Sequence, residues 1–255
     1  MKKTTFLTIL SPIVFLFLWQ LLRWFNIINP YYIPGPSDLI KTFIFKLFST
    51  KPDGSTLLQH TLSSVITSLT GFLLAVGVGV PLGLFMGWKK TIDRAVRPTF
   101  DIFRQIPSPS WIPFSILWFG IGVFQRGFIV WQSAFVPAVI NSYYGIRNVD
   151  EVYINVARVF GFSEWEIFMK IYVPASLPQV FTGVVTAYGI SWFVLAAAEM
   201  LAATNGLAYM IWTASRLGRS DLIVLGMLLI GFIGAGLTTV IRRVEKYFTK
   251  YEATR

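Results

Sequence analysis

The side chains that could do chemistry in this chain are few and far apart. Glu199 is a lone carboxylate in the apolar stretch VLAAAEMLA, His60 is the single histidine, and cysteine is absent. Acid–base catalysis needs a second titratable group beside the first, and a structural or catalytic metal needs three or four ligands. No second carboxylate or histidine follows Glu199 at helical spacing. The sequence therefore predicts no catalytic residue, no metal site and no cofactor bound by this chain.

Enzyme signatures are also missing. There is no GxxxxGK[ST] phosphate loop, no HExxH and no GxSxG sequence. The prediction is a non-enzyme. If the protein performs work, the energy comes from an ion gradient or from a partner.

A polar, aromatic segment at 155–174, NVARVFGFSEWEIFMKIYVP, lies between two long apolar stretches. Gly161 fits a left-handed residue at the end of one helix. Ser163 and Glu166 form a capping box that starts a second short helix. Pro174 fits the first turn of the next long helix, or the break just before it. The expected structure is two short helices that meet at a bend and project four aromatic side chains into the cytoplasm: Phe160, Phe162, Trp165 and Phe168.

Exposed aromatic rings are an aggregation liability unless something covers them. A docked soluble partner would cover the 155–174 segment, and a helix lying on the membrane surface is the alternative.

Composition shows what must position this segment. With 55% hydrophobic and 13% charged residues, the chain cannot present an ordinary soluble surface. A spanning helix needs about 20 apolar residues. The sequence predicts an all-α integral membrane protein with six spans: Phe6–Trp24, Leu57–Gly87, Trp111–Gly122, Phe128–Tyr144, Leu177–Ala203 and Leu222–Val240.

Loop charges give the orientation, because cytoplasmic loops hold the excess of Lys and Arg. With the N-terminus inside, 15 of the 22 basic residues fall in cytoplasmic segments. Both termini are therefore expected in the cytoplasm, together with the 155–174 segment. The net charge of +10 then follows from topology, and nucleic-acid binding is not needed to explain it.

The predicted organisation has four parts. Residues 1–25 form an N-terminal transmembrane helix, and residues 26–56 form an extracytoplasmic loop with an amphipathic helix that lies on membrane lipid. A five-helix core at 57–245 includes a cytoplasmic coupling loop at 147–174, and a cytoplasmic tail at 246–255 follows.

Two features inside the spans suggest function. The stretch RQIPSPSWIP, from Arg104 to Pro113, cannot form a regular helix. Irregular backbone at membrane depth is tolerated where it is buried in protein or lines a watery cavity, so this stretch is expected at the inner mouth of a pathway.

Glu199 is a candidate functional residue, because intramembrane carboxylates usually face a protein interior or water. The alternative is a structural role, in which Glu199 bonds to local backbone or to a serine near the outer end of the span.

Small residues recur in the second span. Gly79, Gly83 and Gly87 form a small-xxx-small stripe that allows close approach of another helix. Packing within one subunit and contact between subunits both remain open.

The 155–174 segment resembles the EAA loop of binding-protein-dependent ABC importer permeases. Ala157, Gly161, Ile171 and Pro174 match that motif in type and spacing, whereas Asn155 replaces its glutamate, Val156 its first alanine and Val173 its leucine. Pro107–Gly122, Ala198–Met200 and Gly206–Ile211 resemble the sulfonate/taurine/nitrate/bicarbonate branch, and the resemblance covers roughly Tyr31–Arg243.

The resemblance implies a type I ABC importer permease fold in the bacterial plasma (inner) membrane. The implied partners are a cytoplasmic ABC ATPase that binds ATP and Mg, an extracytoplasmic solute-binding protein and a second permease subunit forming a homodimer. The implied ATPase-coupling residues are Asn155, Ala157, Gly161, Phe162, Trp165, Ile171 and Pro174. The expected pathway residues are Arg104, Gln105, Ser108, Glu199 and Asn205.

The branch favours a small anion such as a sulfonate, taurine, nitrate or bicarbonate. Two alternatives stay open. The same machinery could import a thiamine-precursor-like or other neutral or cationic solute. An ATP-independent channel or ion-coupled carrier is the other, although intramembrane charges beyond Glu199 and the discontinuous repeated halves typical of carriers are not visible.

Overall fold

A computed structural model describes residues 2–29 and 31–248, and within these ranges the chain is helical, without strands. Eleven α-helices follow one another, with a short 3₁₀ turn at Ser108–Trp111 and a π-helical turn at Phe168–Tyr172 among these described residues. The α-helices are α1 Lys2–Trp24, α2 Pro36–Phe48, α3 Leu57–Trp88, α4 Lys90–Phe103, α5 Ile112–Phe119, α6 Val123–Arg147, α7 Glu151–Val159, α8 Glu164–Ile167, α9 Val173–Ala202, α10 Leu207–Arg216 and α11 Ser220–Phe248.

Within the described part of the chain, four helices are long and apolar enough to cross a membrane: α3, α6, the continuous helix Glu164–Ala202 and α11. They correspond to four of the six predicted spans. The first predicted span falls on α1, whose apolar part Leu10–Trp24 is shorter. The third falls on α5, whose eight residues extend about 12 Å against a hydrocarbon core of about 30 Å. The number of six membrane spans stays a prediction.

The described residues divide into two compact units. Unit 1 contains residues up to Ser64 and Thr204–Phe232, and unit 2 contains Val65–Ala203 and the residues from Ile233 onward. Two helices, α3 and α11, each contribute to both units.

Unit 1 is held together by polar contacts between segments distant in sequence. Lys46 Nζ donates to the carbonyl oxygens of Lys51 and Ser55 at 3.1 and 2.8 Å and also contacts the Asp53 carboxylate. His60 Nε2 lies 3.2 Å from Asp53 Oδ1, and His60 Nδ1 accepts from the Gly206 amide at 3.0 Å. The lone histidine is thus a buried structural residue that ties the start of α3 to the start of α10.

The predicted amphipathic helix of the 26–56 loop is α2. Asp38 accepts from the Gly35 amide and pairs with Arg23 of α1 at 3.0 Å, which anchors the N-terminus of α2. Leu39, Thr42 and Lys46 form its buried face. Thr42 donates to Asp221 at 2.9 Å, so this face contacts α11 within unit 1.

Unit 2 is built on very close packing of α3 against α6. A Cβ added at Gly83 would lie 2.3 Å from the Val139 carbonyl oxygen, so no larger residue fits without movement. Gly79 and Gly87 approach α6 in the same way. The glycine stripe therefore serves packing within one subunit, the first of the two options left open by the sequence.

The proline-rich stretch after α4 interrupts regular helix, as predicted. Arg104 caps the C-terminus of α4, three residues follow, and the 3₁₀ turn leads into α5. Gly120, with φ +69°, ends α5.

Candidate functional site

The 155–174 segment begins inside α7 and turns at Gly161. Asp150 caps α7 by accepting from the Val152 amide at 2.9 Å. Gly161 has φ +81°, the left-handed conformation expected from the sequence, and the Phe162 amide donates back to the Ala157 carbonyl at 3.1 Å. This bond pattern closes the helix and reverses the chain direction.

The predicted capping box then starts α8. The Ser163 hydroxyl accepts from the Glu166 amide, and the Glu166 carboxylate accepts from the Ser163 amide at 3.0 Å. The expectation of a separate second short helix was wrong, however, because α8 continues through the π-helical turn into α9. Pro174 explains the wide turn: it has no amide hydrogen, and its ring clashes with the carbonyl four residues earlier in a regular α-helix. Chain direction thus changes only once, at Gly161.

The two arms of this turn share a small core. Ile154, Ala157 and Ile167 are buried together, with Val149, Ile171 and Tyr172 packed around them. Two of the motif residues, Ala157 and Ile171, therefore set the spacing between α7 and the following helix.

Four of the predicted coupling residues also line one open groove, which we call the apolar groove. Its volume is about 720 Å³, and Ala157, Phe162, Ile171 and Pro174 share its wall with Phe160 and Val156. Phe160 is 77% exposed and Trp165 53% exposed. Asn155 and Gly161 are exposed on the same segment. The structure brings the motif together as an apolar concave surface.

Charged residues surround these apolar side chains. Lys170 pairs with Glu166 at 3.0 Å, and Arg158 pairs with Glu164 at 3.1 Å. All four side chains are well exposed, so these pairs contribute little to stability. They leave the surface apolar at its centre and charged at its edge, as in protein–protein interfaces.

Phe168 differs from the expectation that it projects outward. Only 3% of it is exposed, because its ring stacks on Trp88 at 4.4 Å and on Phe85 at 5.4 Å between centroids. Trp165 contacts the same group, 5.5 Å from Phe168. No local sequence pattern indicates this contact, since Trp88 lies 80 residues earlier, at the end of α3.

The predicted pathway residues fall in different surroundings. Arg104 pairs with Asp101 at 2.8 Å and is half-exposed, Gln105 is exposed in the turn, and Ser108 begins the 3₁₀ turn. Asn205 belongs to unit 1, where its side-chain oxygen accepts from Ser63 at 2.9 Å. Three of these five residues, Arg104, Gln105 and Ser108, lie close together in sequence, where regular helix is interrupted after α4.

Glu199 is buried and has a basic neighbour that sequence reasoning missed. Arg126 Nη1 lies 3.7 Å from Glu199 Oε1, and each side chain is about 2% exposed. Arg126 is one of the basic residues that loop charges assign to extracytoplasmic segments, whereas the structure places it within α6, where Gln125, Gln132 and Ser133 are also buried. The sequence contains one signal of this buried polar face. Gln125 and Arg126 are followed seven residues later by Gln132 and Ser133, and this spacing places side chains on one face of a helix.

The arrangement supports binding and not bond chemistry. Among the described residues no group of three His, Cys, Asp or Glu side chains could hold a metal ion. The buried charges lie in ion pairs, and the exposed groove is apolar. Its chemistry is that of a docking surface.

Comparison with known proteins identifies a family of membrane transport components. The family described as "Binding-protein-dependent transport system inner membrane component" matches residues 79–250. A protein of Methanocaldococcus jannaschii, whose name describes an ABC transporter permease protein, is 36% identical over 248 residues, which cover 96% of this chain and 92% of that protein. The taurine transport system permease protein TauC of Escherichia coli is 27% identical, with 98% of this chain and 91% of that protein covered.

A similar fold is found among solved structures. A chain of the MetNI methionine ABC transporter, in an inward-facing conformation, superposes with a TM-score of 0.66 at 16% identity. The match covers 76% of this chain and 96% of that chain.

Proposed function

The chain belongs to the family of binding-protein-dependent transport system inner membrane components, and we propose that it couples solute import to a cytoplasmic ATPase through its 155–174 segment. It is a permease subunit of an ABC importer and contributes no catalysis of its own. ATP and Mg would be bound by the ATPase partner.

The observation that carries this proposal is the apolar groove. It gathers Ala157, Phe162, Ile171 and Pro174 at one concave surface and leaves Phe160 and Trp165 exposed beside it. Exposed aromatic rings around a groove, rimmed by charged pairs, fit the anchor residues of a protein interface. The asparagine at position 155 lies on the exposed side and removes one anionic contact without changing the groove.

The remaining architecture is part of the same proposal. Six spans with both termini in the cytoplasm place the 155–174 segment where an ATPase can reach it. The extracytoplasmic loop that contains α2 then faces a solute-binding protein. A second copy of the chain completes the pathway in the bacterial plasma membrane.

We propose a small anion of the sulfonate, taurine, nitrate or bicarbonate type as the solute. The similarity to a taurine permease supports this class. Glu199 does not argue against an anion, because Arg126 lies 3.7 Å away and balances its charge. Arg104, Gln105 and Ser108 at the helix break, with Glu199 and Asn205, are the proposed pathway residues.

Association with the ATPase tests the coupling surface. Gly161→Pro forces φ to about −65° where the chain needs +81°, and Trp165→Asp places a charge on the docking surface. Both variants should insert in the membrane and lose the ATPase during detergent purification. Tyr247→Asp is the matched control, since Tyr247 is 77% exposed at the end of α11 and outside the groove.

Normal ATPase binding by both variants would refute the coupling role, as would an unsubstituted chain that never retains an ATPase. The solute is identified separately, by mass spectrometry of the ligand bound to the cognate binding protein. Recovery of a neutral or cationic ligand would refute the anion assignment and leave the coupling proposal intact.

A further inference from the structure

We propose that the aromatic cluster of Phe85, Trp88, Trp165 and Phe168 is the mechanical link between the 155–174 segment and helix α3. This inference rests on the proposed function, because it concerns how movement of the docked segment reaches the membrane helices. It assigns Trp88 and Phe168 as positioning residues, outside the docking surface itself.

Ring geometry is the first observation. Phe168 stacks on Trp88 with an interplanar angle of 25° and on Phe85 with 19°, so its ring is held by two residues of α3. Trp165 lies 5.9 Å from Trp88 and 5.5 Å from Phe168. Stacked aromatic rings stabilise one another beyond the effect of their buried area, so the four rings form a firm contact.

Trp88 has a second contact. Lys89 Nζ lies 3.8 Å from the centre of the Trp88 ring, a cation–π distance. The indole is therefore held by both an ammonium group and the Phe168 ring. A displacement of Phe168 must move Trp88 or break this stack.

Rigid bodies lie on both sides of the cluster. On one side, Ile154, Ala157 and Ile167 give the 155–174 segment its own core. On the other, the last turn of α3 packs directly on α6, since a Cβ at Gly87 would lie 2.8 Å from the Tyr143 carbonyl oxygen. Close-packed bodies transmit displacement instead of absorbing it.

The π-helical turn supplies the place where the segment can move. Phe168 is its first residue and Tyr172 its last, and Val173 begins α9. π-helical turns are rare, occur mostly as single turns inside α-helices and are frequent at functional sites. The segment can thus pivot at 168–172 while Phe168 carries the displacement to α3.

The test uses the complete complex of permease and cognate ATPase, trapped with Mg-ATP and orthovanadate. Hydrogen exchange is measured with and without trapping in peptides covering 150–165 and 85–92. In the unsubstituted complex both peptides should change their exchange on trapping. In Trp88→Ala and Phe168→Leu the 150–165 change should persist, whereas the 85–92 change should fall at least fivefold.

Two further variants separate a link from general damage. Trp88→Phe keeps a ring in the stack and should retain at least half of the 85–92 change. Phe193→Ala removes an aromatic ring that is 75% exposed on α9 and should leave both changes intact.

Three results would overturn the inference: no 85–92 change in the unsubstituted complex, a full change in both Trp88→Ala and Phe168→Leu, or loss of the ATPase from either variant. The last would make the rings part of the docking surface. If instead the unsubstituted chain binds no ATPase, the proposed function fails first, and the two failures are distinguishable.

Discussion

At the scale of single residues, the buried carboxyl group of Asp53 is subject to opposing effects on its pKa. Burial raises the pKa of this carboxyl, but hydrogen bonds with His60 and Lys46 outweigh it, so the pKa lies below its ordinary value. The side chains of Asp53, Lys46 and His60 are fully buried. Removing one partner of such a pair leaves the other charge uncompensated, which costs far more than the pair contributes.

Asp53→Asn should therefore destabilise the protein by about 3 kcal/mol, because the Lys46 ammonium stays buried without its counter-charge. The measurement is the thermal unfolding midpoint of the purified protein in detergent. Since the folded pKa of Asp53 is depressed, its contribution is present above the ordinary carboxyl pKa and is lost as the pH falls through the folded value. The variant should lack this acid-dependent loss.

A surface pair provides the control for that measurement. Asp93 pairs with Arg97 one helical turn away at 2.8 Å, and both side chains are partly exposed. Asp93→Asn should cost no more than about 0.5 kcal/mol. Equal shifts of the unfolding midpoint by the two substitutions would show that the buried network around Asp53 contributes no more to stability than a surface ion pair.

The residues that sequence reasoning could not predict are those defined by long-range contacts. Gly161 and the Ser163–Glu166 box were predictable because left-handed backbone and helix capping are local. The Arg126–Glu199 pair joins residues 73 positions apart, and loop counting assigns each basic residue by position alone. Phe168 was misassigned for the same reason, since its burial depends on α3.

At the scale of elements, the packing of α3 on α6 depends on the absence of side chains. Gly83 faces the Val139 carbonyl, whereas a Cβ at Gly77 would meet nothing within 4 Å. The two glycines belong to the same helix and differ only in what they face. They form a matched pair for testing the contact.

Gly83→Ala should destabilise unit 2 by about 1–3 kcal/mol, because the new methyl group forces α3 and α6 apart. Gly77→Ala should be neutral or stabilising by up to about 1 kcal/mol, since alanine favours helix. Thermal unfolding of the two variants in the same detergent measures the difference. An unchanged midpoint for Gly83→Ala would mean that α3 and α6 are not in this contact in solution.

The long apolar helices could be predicted from the sequence, whereas the helix that follows the proline-rich stretch was harder to predict. The four long spans follow from length and hydropathy alone. The third predicted span, Trp111–Gly122, is different, because the proline-containing 3₁₀ turn Ser108–Trp111 precedes α5 and Gly120 ends α5 after eight residues. Proline predicts that a helix is interrupted, but not how the pieces on either side pack.

At the scale of the whole molecule, the orientation in the membrane can be tested directly because the chain has no cysteine. Lys41→Cys on the exposed side of α2 should react with a membrane-impermeant maleimide in intact cells. Tyr247→Cys, at the end of α11, should react only after permeabilisation. The reverse pattern would invert the predicted topology and remove the ATPase from reach of the 155–174 segment.

The π-helical turn at Phe168–Tyr172 has a consequence for how this protein tolerates insertions and deletions. One residue corresponds to about 100° of rotation in a helix. A single-residue deletion within 168–172 would convert the wide turn to a regular one and rotate everything before it about the axis of α9. Phe168 would then leave the α3 rings and the apolar groove would face a new direction. The number of residues in this turn sets the rotation of the 155–174 segment about the axis of α9. A deletion in the turn should therefore be tolerated far less than a substitution.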